Sequence, residues 1–156
     1  MYPYPVPPSA LDFKVEDESA TVYSSPALIC VDGKFNIAVT SSDILMDFAK
    51  HSTYELNVEN RFQKGLETFL EQKNLLPIYP SLNPIDLSKM DAMSYKLETQ
   101  PDILISRSNI SQQLLVSRGV VCMTVPSSAS NNEFKSFGHL KIADADKVST
   151  QLMSDC

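Results

Sequence analysis

Basic residues, histidine, cysteine and glycine are all scarce in this chain, and apolar runs are short. Thirteen Lys and Arg stand against nineteen Asp and Glu in 156 residues, a net charge of −6 with histidine neutral. Gripping a nucleic-acid backbone takes clustered Lys and Arg, so the balance argues against direct nucleic-acid binding. A bilayer span needs ~20 consecutive apolar residues, and nothing in the chain approaches that. The start is proline-rich, without a charged-then-apolar pattern, so no signal peptide is expected. Cys30, Cys122 and Cys156 are odd in number and lack metal-site spacing. The expectation is reduced cysteines, two of them in apolar strands, in the cytosol or nucleus. His51 and His139 are the only histidines, too few for the several ligands of a two-metal hydrolytic site. The length allows one domain with a sizeable core.

The stretch that organises the rest runs over residues 101–126, PDILISRSNISQQLLVSRGVVCMTVP. Ile103, Leu104 and Ile105 form a short apolar run, and residues 120–125 form a second, rich in β-branched residues. Neither alternates cleanly, so both read as strands buried on two faces. Between them, Ser108 or Asn109 can cap a short helix over 109–117, with Ile110, Leu114 and Leu115 in one stripe. Gly119 then stands where a helix end wants positive φ. The expectation is strand, loop, short helix, strand: a compact βαβ crossover making parallel neighbours. Ligands of α/β folds bind in the loop after the first strand. Here that loop reads Ser106, Arg107, Ser108, Asn109, with no His, Cys or carboxylate.

Residues 1–9, MYPYPVPPS, hold four prolines and read as an extended arm, leading into an acidic patch at Glu16, Asp17 and Glu18. Residues 27–31 form a strand, and Asp32-Gly33 is the pair preferred by a two-residue type I′ turn. Residues 35–39 return. Thr40, Ser41, Ser42 and Asp43 offer caps for a helix carrying Ile44, Leu45 and Phe48. Such a cluster can bind phosphate at a helix N-terminus. No glycine-rich turn or Lys accompanies it here, so capping is the expected role. After a polar linker over 51–57, residues 58–74 form the longest helix, with Val58, Phe62, Leu66, Phe69 and Leu70 on its core face. Residues 75–84, LLPIYPSLNP, hold three prolines and are expected to be irregular. Met90, Met93, Tyr95 and Leu97 suggest a strand leading into Pro101. A loop at 126–132 precedes a last strand over 134–142, with a bulge expected at Gly138. Residues 143–156 read as a polar tail, poorly ordered or a frayed helix. The division is thus an arm and lead-in over 1–26, a domain over 27–142 and the tail.

The order of these stretches carries a family resemblance. Val31-Asp32-Gly33 with Thr40-Ser41-Ser42-Asp43-Ile44-Leu45 is similar to a block NG…LTSTDLL. Arg61-Phe62 matches an RF opening the long helix, and Leu76-Pro77-Ile78-Tyr79-Pro80 resembles YPLYP. Residues 101–105 with 119–123 resemble PDVLIIPS…GCVCVNPG, and 137–142 resembles a final F-x-x-L-x-L strand. Across residues 2–142 the chain resembles the C-terminal half of the B subunit of DNA polymerase alpha, the second-largest subunit of polymerase alpha–primase.

The resemblance implies an α/β fold, the later half of a calcineurin-like phosphoesterase domain: mixed sheet with flanking helices, without the inserted OB domain. It also implies a site without chemistry. Active phosphoesterases of that fold carry Gly-His-x-His after the strand matching 103–105, where this chain has Ser106 to Asn109. The Asn-Pro-Gly turn after the next strand is here Val125-Pro126-Ser127. His139 follows Gly138 but has no second histidine after it, so it is not expected to be a ligand. Hence no catalytic residue, metal ligand or cofactor is expected. The implied role is a nuclear, non-catalytic scaffold. It would tether the C-terminal domain of the catalytic subunit, meet primase through the complex, and touch DNA indirectly at most. Two other readings stay open: part of an active metallophosphoesterase with ligands elsewhere, and a free-standing interaction module using the Tyr/Pro arm.

Overall fold

The fold is seen in a computed structural model, which describes residues 7, 19–51, 58–75, 80, 84–88, 99–109, 112–126, 129–130, 133–134, 136–144 and 147–154. Strand β1 (Ala27–Val31) turns back into β2 (Phe35–Thr40), followed by helices α1 (Ile44–His51) and α2 (Val58–Gln72). Then come β3 (Ile103–Arg107), β4 (Gln113–Ser117) and β5 (Val120–Val125). These five strands form one mixed sheet in the order β1-β2-β3-β5-β4. The three central strands are parallel, and each edge strand is antiparallel to its neighbour. The expected class, a mixed α/β sheet with flanking helices, is what the chain builds, and it is compatible with a phosphoesterase-type fold.

Alternation along the strands sends one set of side chains to each face. On one face Ala38, Leu104, Val120 and Cys122 meet Ile44 and Leu45 of α1 and Leu66, Phe69 and Leu70 of α2 in a single core. Phe48 and Phe69 pack edge to face, ring centres 5.9 Å apart, an arrangement worth ~1 kcal/mol beyond the area it buries. Gly65 lies at this helix contact: an added Cβ would sit 3.1 Å from Phe48 Cδ1. The absence of a side chain there sets how closely the two helices approach. Beyond Gln72, Lys73 adopts φ 49°. The N–H of Asn74 donates to Phe69 O and that of Lys73 to Leu70 O. This is the paired bond pattern that closes a helix through a left-handed residue.

Several expectations need correcting. Residues 113–117 are not helix: they form β4, antiparallel to β5, with Leu114 opposite Met123 and Leu115 opposite Cys122. The parallel pairing of β3 with β5 stands, but without a helix between them. The free side of β5 competes for the segment, and sheet pairing overrides a weak helical stripe. Gly119 keeps its positive φ of 80° for a different reason. Arg118 (φ 52°) and Gly119 form the two-residue connection between β4 and β5, joining Ser117 opposite Val120. The primed turn expected at Asp32-Gly33 has positive φ at both positions, and Lys34 N–H donates to Val31 O. The ladder nevertheless resumes at Phe35, so the loop has one residue more than expected. A one-residue slip would turn β2 over, sending Ala38 away from the core.

The last correction concerns the end of the chain. Strand β8 (Ser136–Asp144) pairs antiparallel with β9 (Lys147–Ser154), so most of the expected tail is a strand. In the sequence, Val148, Thr150 and Leu152 alternate with Lys147, Ser149 and Gln151, a period-two pattern that suits a strand. The irregularity falls between Ile142 and Asp144, not at Gly138. Gly138 instead lets β8 approach β5: an added Cβ would lie 3.0 Å from Val125 Cγ2. A short ribbon of β6 (Ala129–Ser130) and β7 (Glu133–Phe134) precedes it. The arm over 1–6, most of the irregular proline stretch and the strand expected around Met90 to Leu97 lie outside the described residues.

Candidate functional site

The sheet ends that could hold a ligand are the C-terminal ends of its parallel strands. There the registers align Thr40 of β2 with Ser106 of β3, and Ser106 with Thr124 of β5. All three are buried, at 3 %, 1 % and 2 % exposure. A row of hydroxyls thus crosses three strands on the helix-covered face, beside the apolar row of Ala38, Leu104 and Cys122. Buried hydroxyls need partners. Thr40 Oγ1 accepts from Ser42 N–H at 3.2 Å, and Thr124 Oγ1 from Gln113 N–H at 2.8 Å.

Beyond the row, Asp43 holds the site together. Its Oδ1 accepts from Met46 N–H at 3.0 Å, the cap expected of this residue at the start of α1. Its Oδ2 accepts from Asn109 N–H at 2.6 Å, in the loop after β3. Asn109 Oδ1 in turn accepts from Arg107 at 3.1 Å. Ser108 is fully buried, and its N–H donates to Val125 O at 3.0 Å. Ser41 N–H donates to Ser25 Oγ, 2.9 Å away. The capping role of the Thr-Ser-Ser-Asp cluster is therefore the one present. A carboxylate sits on the amides that a phosphate would need, so an anion would be repelled there.

The donor set of the loop after β3, Ser106 to Asn109, does not suit a metal. Serine hydroxyls and an Asn carbonyl are weak ligands for Mn, Fe or Zn beside imidazole and carboxylate. Arg107 carries a permanent positive charge that disfavours a cation. Among the described residues no three His, Cys, Asp or Glu side chains gather as a metal would need. His51 closes α1, its Nδ1 at 2.9 Å from Asp47 O, and His139 lies exposed on β8. Cys122 lies in the core, and burial pushes its thiol from an ordinary 9.0 up to about 12. That makes it inert, as thiolate is the reactive form. Sequence reasoning found the loop and the cap. It missed the bond from Asn109 to Asp43 and the aligned hydroxyl row, because both depend on strand register.

The fold is a mixed α/β domain compatible with the phosphoesterase type, and the loops described at the ends of its parallel strands carry hydroxyls and an arginine. The chain belongs to the DNA polymerase alpha/epsilon B-subunit family, whose model matches residues 1–114. That match covers the sheet from β1 through β3 and ends inside β4; the resemblance over residues 119–142 lies beyond it. The family is one of accessory subunits of DNA polymerases, which makes this chain a DNA replication accessory subunit associated with a polymerase catalytic subunit. No curated protein matches the chain. No helix among the described residues is long and apolar enough to cross a membrane.

Proposed function

We propose that the chain serves in the nucleus as a non-catalytic subunit of DNA polymerase alpha–primase, binding the C-terminal domain of its catalytic subunit. The observation that carries the non-catalytic reading is the loop after β3. Its Asn109 is bonded to Arg107 through the side chain and to Asp43 through the amide, in the loop that the resemblance aligns with the histidine-bearing loop of active phosphoesterases. The choice of alpha over epsilon rests on the order of the sequence blocks, from Val31-Asp32-Gly33 to the residues 119–123. Primase would be reached through the complex, and DNA indirectly, as the net charge of −6 suits a protein partner better than a phosphate backbone.

The test is co-expression with the C-terminal domain of the alpha catalytic subunit and, separately, with that of epsilon. Stoichiometric co-purification with alpha alone is expected. Binding to epsilon alone, or to neither, overturns the proposal. A parallel measurement dialyses the protein against Mn²⁺ and Zn²⁺ and assays a generic phosphodiester. Two metals per chain with turnover abolished by EDTA would establish an enzyme instead.

A further inference from the structure

We draw no further inference here: the strongest candidate, the uncharged outer edge of β1 with Leu28 and Val31 exposed at 44 % and 37 %, is a sheet edge for which nothing in the structure shows what covers it.

Discussion

Asp43 and Asn109, 66 positions apart, are joined by a 2.6 Å hydrogen bond from the Asn109 amide to the Asp43 carboxylate. The same carboxylate caps α1 through Met46. One side chain thus fixes both the start of the first helix and the loop after the central strand.

Asp43→Ala is therefore expected to cost more than loss of a cap alone, about 1–3 kcal/mol, because it strands two amide donors. Urea midpoints at constant slope give the value. Hydrogen exchange at the Asn109 amide should speed up in the same variant. A cost under ~0.5 kcal/mol, with Asn109 still protected, would show that water replaces the carboxylate freely.

Leu104→Ala is expected to destabilise by about 2–5 kcal/mol, the usual cost of truncating a buried aliphatic side chain. Leu104 sits in the middle strand, 1 % exposed, in the core shared by both helices. The exposed Val116 of β4 is the control, and Val116→Ala should change stability by under ~0.5 kcal/mol. Equal effects would remove β3 from the centre of the core.

Gly33→Val should be more damaging than Gly65→Ala, for two different reasons. Gly33 has φ 63° and open space around it, so its cost is backbone strain, about 1–2 kcal/mol or more for a β-branched residue. Alanine in mid-helix would ordinarily gain up to about 1 kcal/mol. At Gly65 the new methyl meets Phe48 at 3.1 Å, so the expected net gain is near zero. Thermal melts of both variants decide it. A full gain at Gly65 would show that the Phe48 ring gives way without cost.

Cys122 predicts a particular loss of stability in alkali. Its thiol is raised from 9.0 to about 12 by burial. The folded state holds the proton more tightly, so stability from this group is intact below about pH 9 and lost as pH rises towards 12. Subtracting the denaturation free energies of Cys122→Ala from those of the native chain isolates this contribution. The difference should decline over that window. Mass-spectrometric mapping after iodoacetamide at pH 8 should find Cys30, which is exposed, labelled and Cys122 untouched. A flat difference with a labelled Cys122 would mean that the site is open to water.

The elements legible in the sequence were those whose local signals agreed with their tertiary place. The capped α1, the amphipathic α2 and the apolar, β-branched runs that open β3 and β5 each carried a pattern that agrees with the element formed. Residues 113–117 did not: Leu114-Leu115-Val116 fits a helix turn or a strand equally. Pairing with β5 decides it, placing Leu115 against the core and leaving Val116 exposed. Gly119 signalled positive φ correctly, but helix ends and primed turns both ask for it, and Arg-Gly is not among the favoured turn pairs. At the site, the types of residue in the loop after β3 were readable. The alignment of Thr40, Ser106 and Thr124 was not, since register between distant strands leaves no local trace.

The junction of β2 and β3 has a consequence for how the chain is made. Asn36 and Asp102 are clamped together by paired bonds across 66 positions, at the opposite strand end from Asp43 and Asn109. On a ribosome adding 5–20 residues per second, β2 waits roughly 3–13 s for its neighbour to be synthesised. During that interval no described strand covers either edge of the β1–β2 hairpin, and a lone hairpin is marginal in water. The nascent chain therefore passes through a window in which both sides of its first two strands can recruit the wrong partner, closed on one side only when β3 arrives.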